Sequence, residues 1–484
     1  MVQVEQGNKN MKQLLIFITL VLSFSISSLA LTKKEPAKWE GALIVQGFEL
    51  KLIFKLHQDT CLLDVPMQGL KDYASSECMI EGDSIRISFS GMLQAQFIGE
   101  YQGDTLIDGN WLQSGQSFPL KLRKKIELKR PQNPQGPLTY KQEAVSYFNF
   151  DRSIQFGGTL TIPEKGTKHP VAILITGSGQ QDRDESIMGH KPFLVIADYL
   201  TRQGIAVLRV DDRGMGSSTG QETLKHATSY DFALDVVAGI KYLQSRADID
   251  PQNIGLIGHS EGGLIASIIG SKRNDLAFIV SLAGVGVSGN RIISSQIKKS
   301  LTRSLPNVTV DSIISFEKRA LNIIMHEEDD RRAEVSITQA LIGPWIANQD
   351  AAVKEYFGMK TVDGFETIDT KPALARYKMM MIPWFRYFIA YKPSEYLPKV
   401  KAPFLVLNGE KDTQVLADLN LNGFKRIFNA SGKTNYKIKS YPNLNHFFQH
   451  CHTGYLDEVE SIEETISEEV LNDMSVWIKE QIQN

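Results

Sequence analysis

The sequence has little cysteine. Its 484 residues include 3 cysteines, Cys61, Cys78 and Cys451, which are too few for a disulfide framework. Cys61 and Cys78 are near enough in sequence to form a local disulfide, and two buried thiols are an equally valid interpretation. The spacings of cysteine and histidine do not match a zinc-binding pattern, and the glycine-containing loop at residues 211–216 lacks the lysine of a phosphate-binding loop. We therefore expect no metal and no cofactor.

A strong charge of either sign is also absent. The formal net charge is −2, with 22% charged and 42% hydrophobic residues. Because there is no basic field, we exclude nucleic acid as a partner. The composition is that of an ordinary globular protein, and the length allows two or three domains.

The sequence has no apolar run long enough for a comfortable membrane span. An apolar segment at residues 14–22 follows Lys12, and small and apolar residues continue to Ala30. This is the pattern of a secretory signal peptide at about residues 11–30, and a buried N-terminal helix is the alternative. We therefore expect an exported protein, periplasmic or secreted, whose mature chain has no integral membrane span.

Residues 31–125 predict a small antiparallel β domain. Apolar and polar residues alternate in stretches such as Ser84–Phe89, and frequent glycines supply turns. We interpret Trp39 and Trp111 as core residues of this domain, with a ligand-stacking pair as the alternative. A linker rich in proline and other turn formers follows at residues 126–144.

Residues 145–484 predict an α/β catalytic domain. A hairpin comes first, and then short apolar runs begin near residues 171, 205, 278 and 404. Such runs are typical of parallel strands covered on both faces. Helical stretches lie between them, which indicates a mostly parallel sheet flanked by helices.

A segment at about residues 287–392 interrupts this alternation. Ile313, Phe316 and Ala320 recur at helical spacing, and Asp311 is the expected N-cap. We see no strand-like run here. An insertion after a sheet strand would lie over the carboxyl ends of the strands, where ligands bind in open α/β sheets, so we predict a helical cap.

Three apolar side chains of the cap, Met380, Trp384 and Phe385, are candidates to line the substrate pocket. Packing within the cap is the alternative interpretation of the same residues. The prediction therefore depends on which way the cap helices face.

The strongest local signal is the pentapeptide Gly258–Gly262, in which Ser260 is the central residue. An apolar strand-like run precedes it and a helix-like run follows it. A serine on a tight turn between strand and helix is the arrangement of a nucleophile elbow. The flanking glycines allow the sharp turn, and the following helix points its free N–H groups at charge that develops beside the serine. Ser260 is therefore the predicted nucleophile.

A serine nucleophile needs a base and a carboxylate that orients it. Asp412 follows the late strand-like run at residue 404, and His446 follows a further run at residues 436–441. This order after the serine is that of an α/β-hydrolase triad. Glu410 competes for the acid role, and His450 and His452 compete for the base, but their positions relative to the strand ends are less suitable.

The oxyanion of an acyl-transfer reaction needs backbone donors. We assign the first to the N–H of Glu261, the residue after the nucleophile, and the second to the N–H of Ser178, with Gly179 as the substitute. Arg213, in the loop after another strand, is expected to pair with Asp212 or Glu261 in a structural role, and substrate binding is the alternative.

Six segments together carry a resemblance to a known family. They are Thr176–Asp182, Asp211–Gly214, Gly258–Gly263, Pro383–Tyr387, Asn408–Asp412 and Asn445–Gln449. With these segments the chain resembles secreted bacterial α/β-hydrolase esterases, in the branch related to serine aminopeptidases and dienelactone hydrolases. One departure is Thr176, where many relatives have histidine in the oxyanion loop.

The resemblance implies hydrolysis of a small-molecule carboxylic ester, with Ser260, Asp412 and His446 as the catalytic triad. The same triad would serve a peptidase or an acyl-CoA thioesterase, and a hydrolase fold that only binds is a further alternative. The acyl and alcohol groups and the oligomeric state are not implied.

Overall fold

The computed structural model describes residues 37–45, 48–57, 60–65, 68, 70–91, 93–125, 128–362, 365–368 and 371–482. The predicted signal peptide lies outside the described residues. The chain divides into two compact units, residues 1–127 and residues 128–484. None of the helices that the structure describes is long and apolar enough to cross a membrane.

The described strands of the first unit form one antiparallel sheet. They are β1 (Ala37–Val45), β2 (Phe48–His57), β3 (Thr60–Val65), β4 (Leu70–Ala74), β5 (Glu77–Glu81), β6 (Ser84–Phe89), β7 (Ala95–Tyr101), β8 (Leu106–Gln113) and β9 (Gln116–Lys124). Their order is β4-β3-β2-β1-β9-β8-β7-β6-β5. Alternate residues face one core, as the period of two in a strand requires.

The tryptophans of this unit are core residues, as predicted. Trp39 is 3% exposed and Trp111 is 2% exposed, and the Trp111 ring packs 6.1 Å from that of Phe54. Cys61 on β3 is buried, no disulfide joins it to Cys78, and burial raises the pKa of the Cys61 thiol. Of the two interpretations of this cysteine, the buried thiol is the one observed.

The second unit is built on a mixed sheet. Its strands are β10 (Tyr140–Phe148), β11 (Gln155–Pro163), β12 (His169–Ile175), β13 (Ala206–Val210), β14 (Ile249–His259), β15 (Ile279–Leu282), β18 (Phe404–Gly409) and β19 (Tyr436–Tyr441), with a separate hairpin of β16 (Met359–Val362) and β17 (Phe365–Ile368). The order is β10-β11-β13-β12-β14-β15-β18-β19. The pairs from β13 to β19 are parallel, and β10 and β11 are antiparallel.

Helices cover both faces of this sheet. In chain order they are α1 (Pro192–Arg202), α2 (Ser229–Gln244), α3 (Glu261–Gly270), α4 (Gly289–Leu301), α5 (Asn307–His326), α6 (Asp330–Ile342), α7 (Pro344–Ala347), α8 (Ala351–Tyr356), α9 (Lys371–Met379), α10 (Pro383–Ala390), α11 (Pro393–Tyr396), α12 (Ala417–Ala430), α13 (Leu456–Val459) and α14 (Glu468–Ile482). Along β12, Ile173 belongs to the core on one face and Leu174 to the core on the other. The strand is buried on both sides, which is why its sequence is continuously apolar.

The segment between β15 and β18 contains α4 to α11, and two details of its prediction are wrong. The hairpin of β16 and β17 interrupts the helices, and each of its strands has only four residues, too few for an alternation to stand out. Asp311 is not an N-cap, because α5 begins one turn earlier, after Pro306. Its carboxylate instead pairs with Lys298 at 2.8 Å.

Candidate active site

Ser260 lies on the turn between β14 and α3 in a strained backbone conformation. Its φ is 54° and its ψ is −115°, a region that costs a non-glycine residue about 1–3 kcal/mol. A Cβ atom at Gly262 would collide with the carbonyl oxygen of Ile175, so the turn needs glycine there. The Ser260 N–H donates to the carbonyl of Leu282 at 2.8 Å, which fixes the turn against β15.

His446 and Asp412 are hydrogen-bonded. Asp412 follows β18, His446 follows β19, and His446 Nδ1 lies 2.8 Å from Asp412 Oδ2. The N–H groups of Gln414 and Val415 donate to the other carboxylate oxygen at 2.7 and 2.8 Å. Because the carboxylate accepts, His446 carries its hydrogen on Nδ1, which leaves Nε2 for proton transfer.

The competing residues have other partners. Glu410 accepts a hydrogen bond from the hydroxyl of Ser440 at 2.7 Å. The ring of His450 is 63% exposed and pairs with Glu464 at 2.9 Å, and His452 is exposed. Of the candidates for acid and base, the structure brings together Asp412 and His446.

The predicted oxyanion loop, residues 176–181, lies directly against the nucleophile. A Cβ atom at Gly177 would lie 3.3 Å from that of Ser260. The Gly177 N–H donates to Glu185 Oε1 at 2.7 Å, whereas Ser178 and Gly179, the predicted oxyanion donors, are exposed. Glu261 begins α3, and the first N–H groups of a helix have no acceptor within it.

Asp212 closes this loop at both ends. Its carboxylate accepts the hydroxyl of Thr176 and the N–H of Gln181, each at 2.9 Å. Thr176 is therefore tied into the loop. Burial raises the pKa of Asp212 to about 8, although these two hydrogen bonds act in the opposite direction.

The predicted partners of Arg213 are wrong. Arg213 pairs with Asp235 on α2, with Nη2 2.7 Å from Oδ1. The carboxylate of Asp212 accepts hydrogen bonds from the oxyanion loop, and Oε1 of Glu261 accepts them from other donors. The sequence does not show which helix lies beside Arg213, so Asp235 was missed.

The side chain of Glu261 is a further contact that the sequence did not predict. It is 2% exposed, and its Oε1 accepts the hydroxyl of Ser229 at 2.6 Å and the indole N–H of Trp384 at 2.8 Å. Burial raises the pKa of Glu261, against the effect of these two donors. The residue after the nucleophile is thus held by α2 and by the cap.

Two more buried residues next to the nucleophile were missed. His259 Nδ1 lies 3.0 Å from Glu185 Oε1, and His259 Nε2 lies 3.1 Å from the backbone carbonyl oxygen of His446. The rings of His259 and His446 are 4.7 Å apart. The histidine of the pentapeptide was the available signal, but its partner Glu185 is 74 residues away in sequence.

A cavity of about 450 Å³ opens beside the oxyanion loop. It is lined by the ends of β12 and β13, by α2 and by two cap residues, Ile382 and Trp384. Of the three predicted pocket residues, only Trp384 lines this cavity. Met380 and Phe385 instead pack against the hydrophobic core, so the alternative interpretation fits them.

The order of these elements along the chain defines the class of protein to which the second unit belongs. A serine on a strand-to-helix turn, followed in sequence by an aspartate and a histidine after the last two strands, is the arrangement of the α/β-hydrolase fold. The second unit has this fold, with the insertion after β15 as its cap, and the first unit is an all-antiparallel β domain, as the sequence predicted.

Comparison with known families agrees with this class. The family model described as serine aminopeptidase, S33, matches residues 191–351, which include Ser260. Esterase EstD of Thermotoga maritima is 24% identical over 289 residues, which is 60% of this chain and 57% of EstD. An uncharacterized 31.7 kDa protein of Escherichia coli is 24% identical over 292 residues, 58% of this chain and 88% of that protein.

Solved structures with a similar chain course include Est1E and a dienelactone hydrolase. Est1E from Butyrivibrio proteoclasticus is 15% identical, with a TM-score of 0.36, over 70% of this chain and 99% of that one. Dienelactone hydrolase from Anabaena variabilis is 15% identical, with a TM-score of 0.37, over 71% of this chain and 98% of that one. The family match and the relative in Thermotoga bear out the predicted resemblance to serine aminopeptidases and esterases.

Proposed function

We propose that this protein is a serine hydrolase that cleaves carboxylic esters through an acyl-enzyme. One observation carries the proposal: Ser260 lies in the strained conformation of a nucleophile elbow in a fold that also joins His446 to buried Asp412 by a 2.8 Å hydrogen bond. The chain is also similar to an esterase, although it spans 57% of that protein.

In the first half of the reaction, Ser260 Oγ attacks the ester carbonyl carbon while His446 Nε2 accepts the hydroxyl proton. The tetrahedral intermediate collapses when the bond to the alcohol oxygen breaks. His446 then donates its proton to the departing alcohol. Water repeats these steps on the acyl-enzyme and releases the carboxylic acid, which regenerates Ser260.

Two backbone N–H groups would stabilise the oxyanion, those of Glu261 and Ser178. Each such donor is worth roughly 3 kcal/mol in the transition state. Asp212 and Glu185 fix the loop that carries Ser178, because they accept hydrogen bonds from Thr176, Gln181 and Gly177. The donors would therefore be in place before substrate arrives.

The cavity beside the loop supports a small, largely apolar group as part of the substrate. Phe232 and Val236 of α2, Ile265 of α3 and Ile382 of the cap contribute apolar surface to its volume of about 450 Å³. This is within the usual size of a small-molecule site. We assign the acyl group of the ester to it.

The test is hydrolysis of p-nitrophenyl esters of graded acyl length. We expect Ser260→Ala to abolish hydrolysis and covalent labelling by a fluorophosphonate, with the fold intact. His446→Ala should also abolish hydrolysis, whereas His450→Ala, which changes the exposed histidine of the same loop, is the matched control. An unchanged rate in folded Ser260→Ala contradicts the proposal, and a larger loss in His450→Ala contradicts the choice of base.

An aminopeptidase is the second candidate, because the matching family model is described as a serine aminopeptidase. Such an enzyme needs a carboxylate for the substrate's amino group. Oε1 of Glu261 is engaged by Ser229 and Trp384, and in the cap Glu327 pairs with Arg332 and Asp330 with Arg386. These contacts favour the esterase. Rates on aminoacyl arylamides and on aryl esters, measured on the same preparation, separate the two.

We also propose that the protein is exported. Lys12, the apolar segment at residues 14–22 and the small residues before Leu31 support this. The expected N-terminus of the mature protein is near Leu31. N-terminal sequencing of protein from the native host's periplasm or medium tests it, and an uncleaved N-terminus in the cytoplasm contradicts it.

A further inference from the structure

We propose that Glu185 and His259 form a second, charged histidine–carboxylate pair, which positions His446 and the oxyanion loop. The pair lies outside the triad, and neither residue exchanges a proton with substrate. Its kinetic role rests on the function proposed above, whereas its charge state follows from its hydrogen-bond partners and its burial.

The partners of His259 decide its charge. A backbone carbonyl can only accept, so His259 Nε2 donates to the carbonyl of His446 across 3.1 Å. On the other side of the ring, Glu185 Oε1 already accepts the N–H of Gly177 at 2.7 Å and lies 3.0 Å from Nδ1. As a carboxylate oxygen it accepts both hydrogens. A histidine that donates from both nitrogens is an imidazolium.

Because the side chains of His259 and Glu185 are both buried, each charge needs the other as its partner. His259 is 6% exposed and Glu185 is 3% exposed, and a buried charge persists only with a partner. Burial alone would lower the pKa of His259, but the carboxylate of Glu185 outweighs it and raises that pKa. Asp412 adds to the increase. The other titratable groups close to the pair are His446, against the ring, and Asp212, near Glu185.

The pair connects the separate parts of the candidate site. Hydrogen bonds run from Gly177 in the oxyanion loop to Glu185, from Glu185 to His259, and from His259 to the backbone of His446. His259 is also the residue before the nucleophile. A change in the position of Glu185 or His259 would therefore displace both His446 and the oxyanion loop relative to Ser260. Even a small misplacement of reacting groups lowers the reaction rate strongly.

The charge of His259 lies beside the base. The rings of His259 and His446 are 4.7 Å apart. Glu185, whose Oε1 is 3.0 Å from His259 Nδ1, balances the charge of His259, so the site as a whole does not become strongly cationic.

The experiment compares His259→Gln with Glu185→Gln and uses His450→Gln as the matched control. His450 and Glu464 form a histidine–carboxylate pair at the surface, so the control removes the same kind of pair. We expect His259→Gln to lower kcat at least about tenfold with KM changed less than about twofold, because binding groups remain in place.

The pH profile separates a positioning role from simple loss of packing. His259→Gln leaves the Glu185 carboxylate without its cation near His446, so the acid limb of kcat/KM should move to higher pH. Glu185→Gln allows the ring of His259 to become neutral, so both charges are lost; kcat should fall while the limb moves less. His450→Gln should change neither quantity.

A spectroscopic measurement tests the charge independently of activity. The measurement uses Ser260→Ala protein labelled with ¹⁵N-histidine. The His259 signal is identified as the one that is absent from the double variant Ser260→Ala/His259→Gln. At about pH 8 we expect this signal to be that of an imidazolium with both nitrogens protonated. A single neutral tautomer there overturns the proposal. So does a folded His259→Gln protein with the kcat and pH profile of His450→Gln.

These outcomes are distinct from failure of the proposed function. If Ser260→Ala retained ester hydrolysis while the imidazolium signal was present, the serine mechanism would be wrong and the charged pair would stand. If Ser260 were labelled and essential while His259→Gln behaved as the surface control, only the pair would be wrong.

Discussion

The indole N–H of Trp384 donates a hydrogen bond of 2.8 Å to Oε1 of Glu261. Trp384 belongs to the cap, and Glu261 is the residue directly after the candidate nucleophile. The same glutamate offers its backbone N–H to the oxyanion in the proposed mechanism. A change in the position of the cap is therefore transmitted to the N-terminus of α3 by one hydrogen bond between half-buried Trp384 and buried Glu261.

We expect Trp384→Phe to lower kcat/KM by about tenfold, because a lost hydrogen bond to a buried charged or polar group costs about 1–3 kcal/mol. The phenyl ring can keep the stacking on Phe388, which lies 5.7 Å away. Ester hydrolysis and chemical denaturation are the measurements. Trp345→Phe is the control, since that cap tryptophan packs on Phe316 at 4.8 Å and is distant from Glu261 in sequence and contacts. Equal losses in the two variants would contradict a specific role for the indole N–H.

We expect stability to depend on the titration of Asp212. Its pKa in the folded protein is about 8, above the ordinary value of 3.8, so the folded protein holds a proton that the unfolded chain releases in this range. The contribution of Asp212 to the free energy of unfolding therefore falls as pH rises from about 4 to about 8. Asp212→Asn, which resembles the protonated acid, should lose less Tm than the wild type between about pH 5 and pH 8. The same loss in both proteins would show that Asp212 is not the group responsible.

Asp412→Asn should lower kcat by as much as about 10⁴-fold with a small effect on KM, because the amide no longer holds the catalytic histidine in its correct tautomer. Steady-state kinetics on an aryl ester measures the change. Glu410→Gln, two residues earlier on the same loop and exposed, is the matched control. A comparable loss in that variant would return the acid role to Glu410.

Val236→Phe should restrict hydrolysis to esters with shorter acyl groups. Val236 lines the cavity from α2, and a larger ring there fills part of its volume of about 450 Å³. We expect kcat/KM for long acyl chains to fall by about 10–200-fold relative to acetate, the range that apolar pocket contacts provide. Val308→Phe places the same ring at a residue that is 78% exposed and should leave the ratio unchanged. If the acetyl ester were affected most, the cavity would hold the alcohol group instead.

The features that depend on residues close together in the sequence could be predicted from the sequence. The continuously apolar run of β12 and the turn around Ser260 are local patterns, and the acid and histidine follow strands in a known order. The partner of Arg213 and the pair of Glu185 with His259 depend on which elements meet in space. The hydrophobic periodicity of a short segment carries no information about a contact between two residues that are 74 positions apart. The hairpin in the cap was missed for a different reason, because strands of four residues give too short an alternation.

The backbone of Ser260 has a consequence for how this chain could change over generations. Glycine adopts a φ of 54° without the steric cost that serine bears, so Ser260→Gly should make the protein more stable by up to about 1 kcal/mol while removing the nucleophile. Stability and activity would then favour different residues at this one position. Loss of the reaction through this substitution would therefore carry no cost in stability. A descendant protein with glycine at this position would be more stable and inactive.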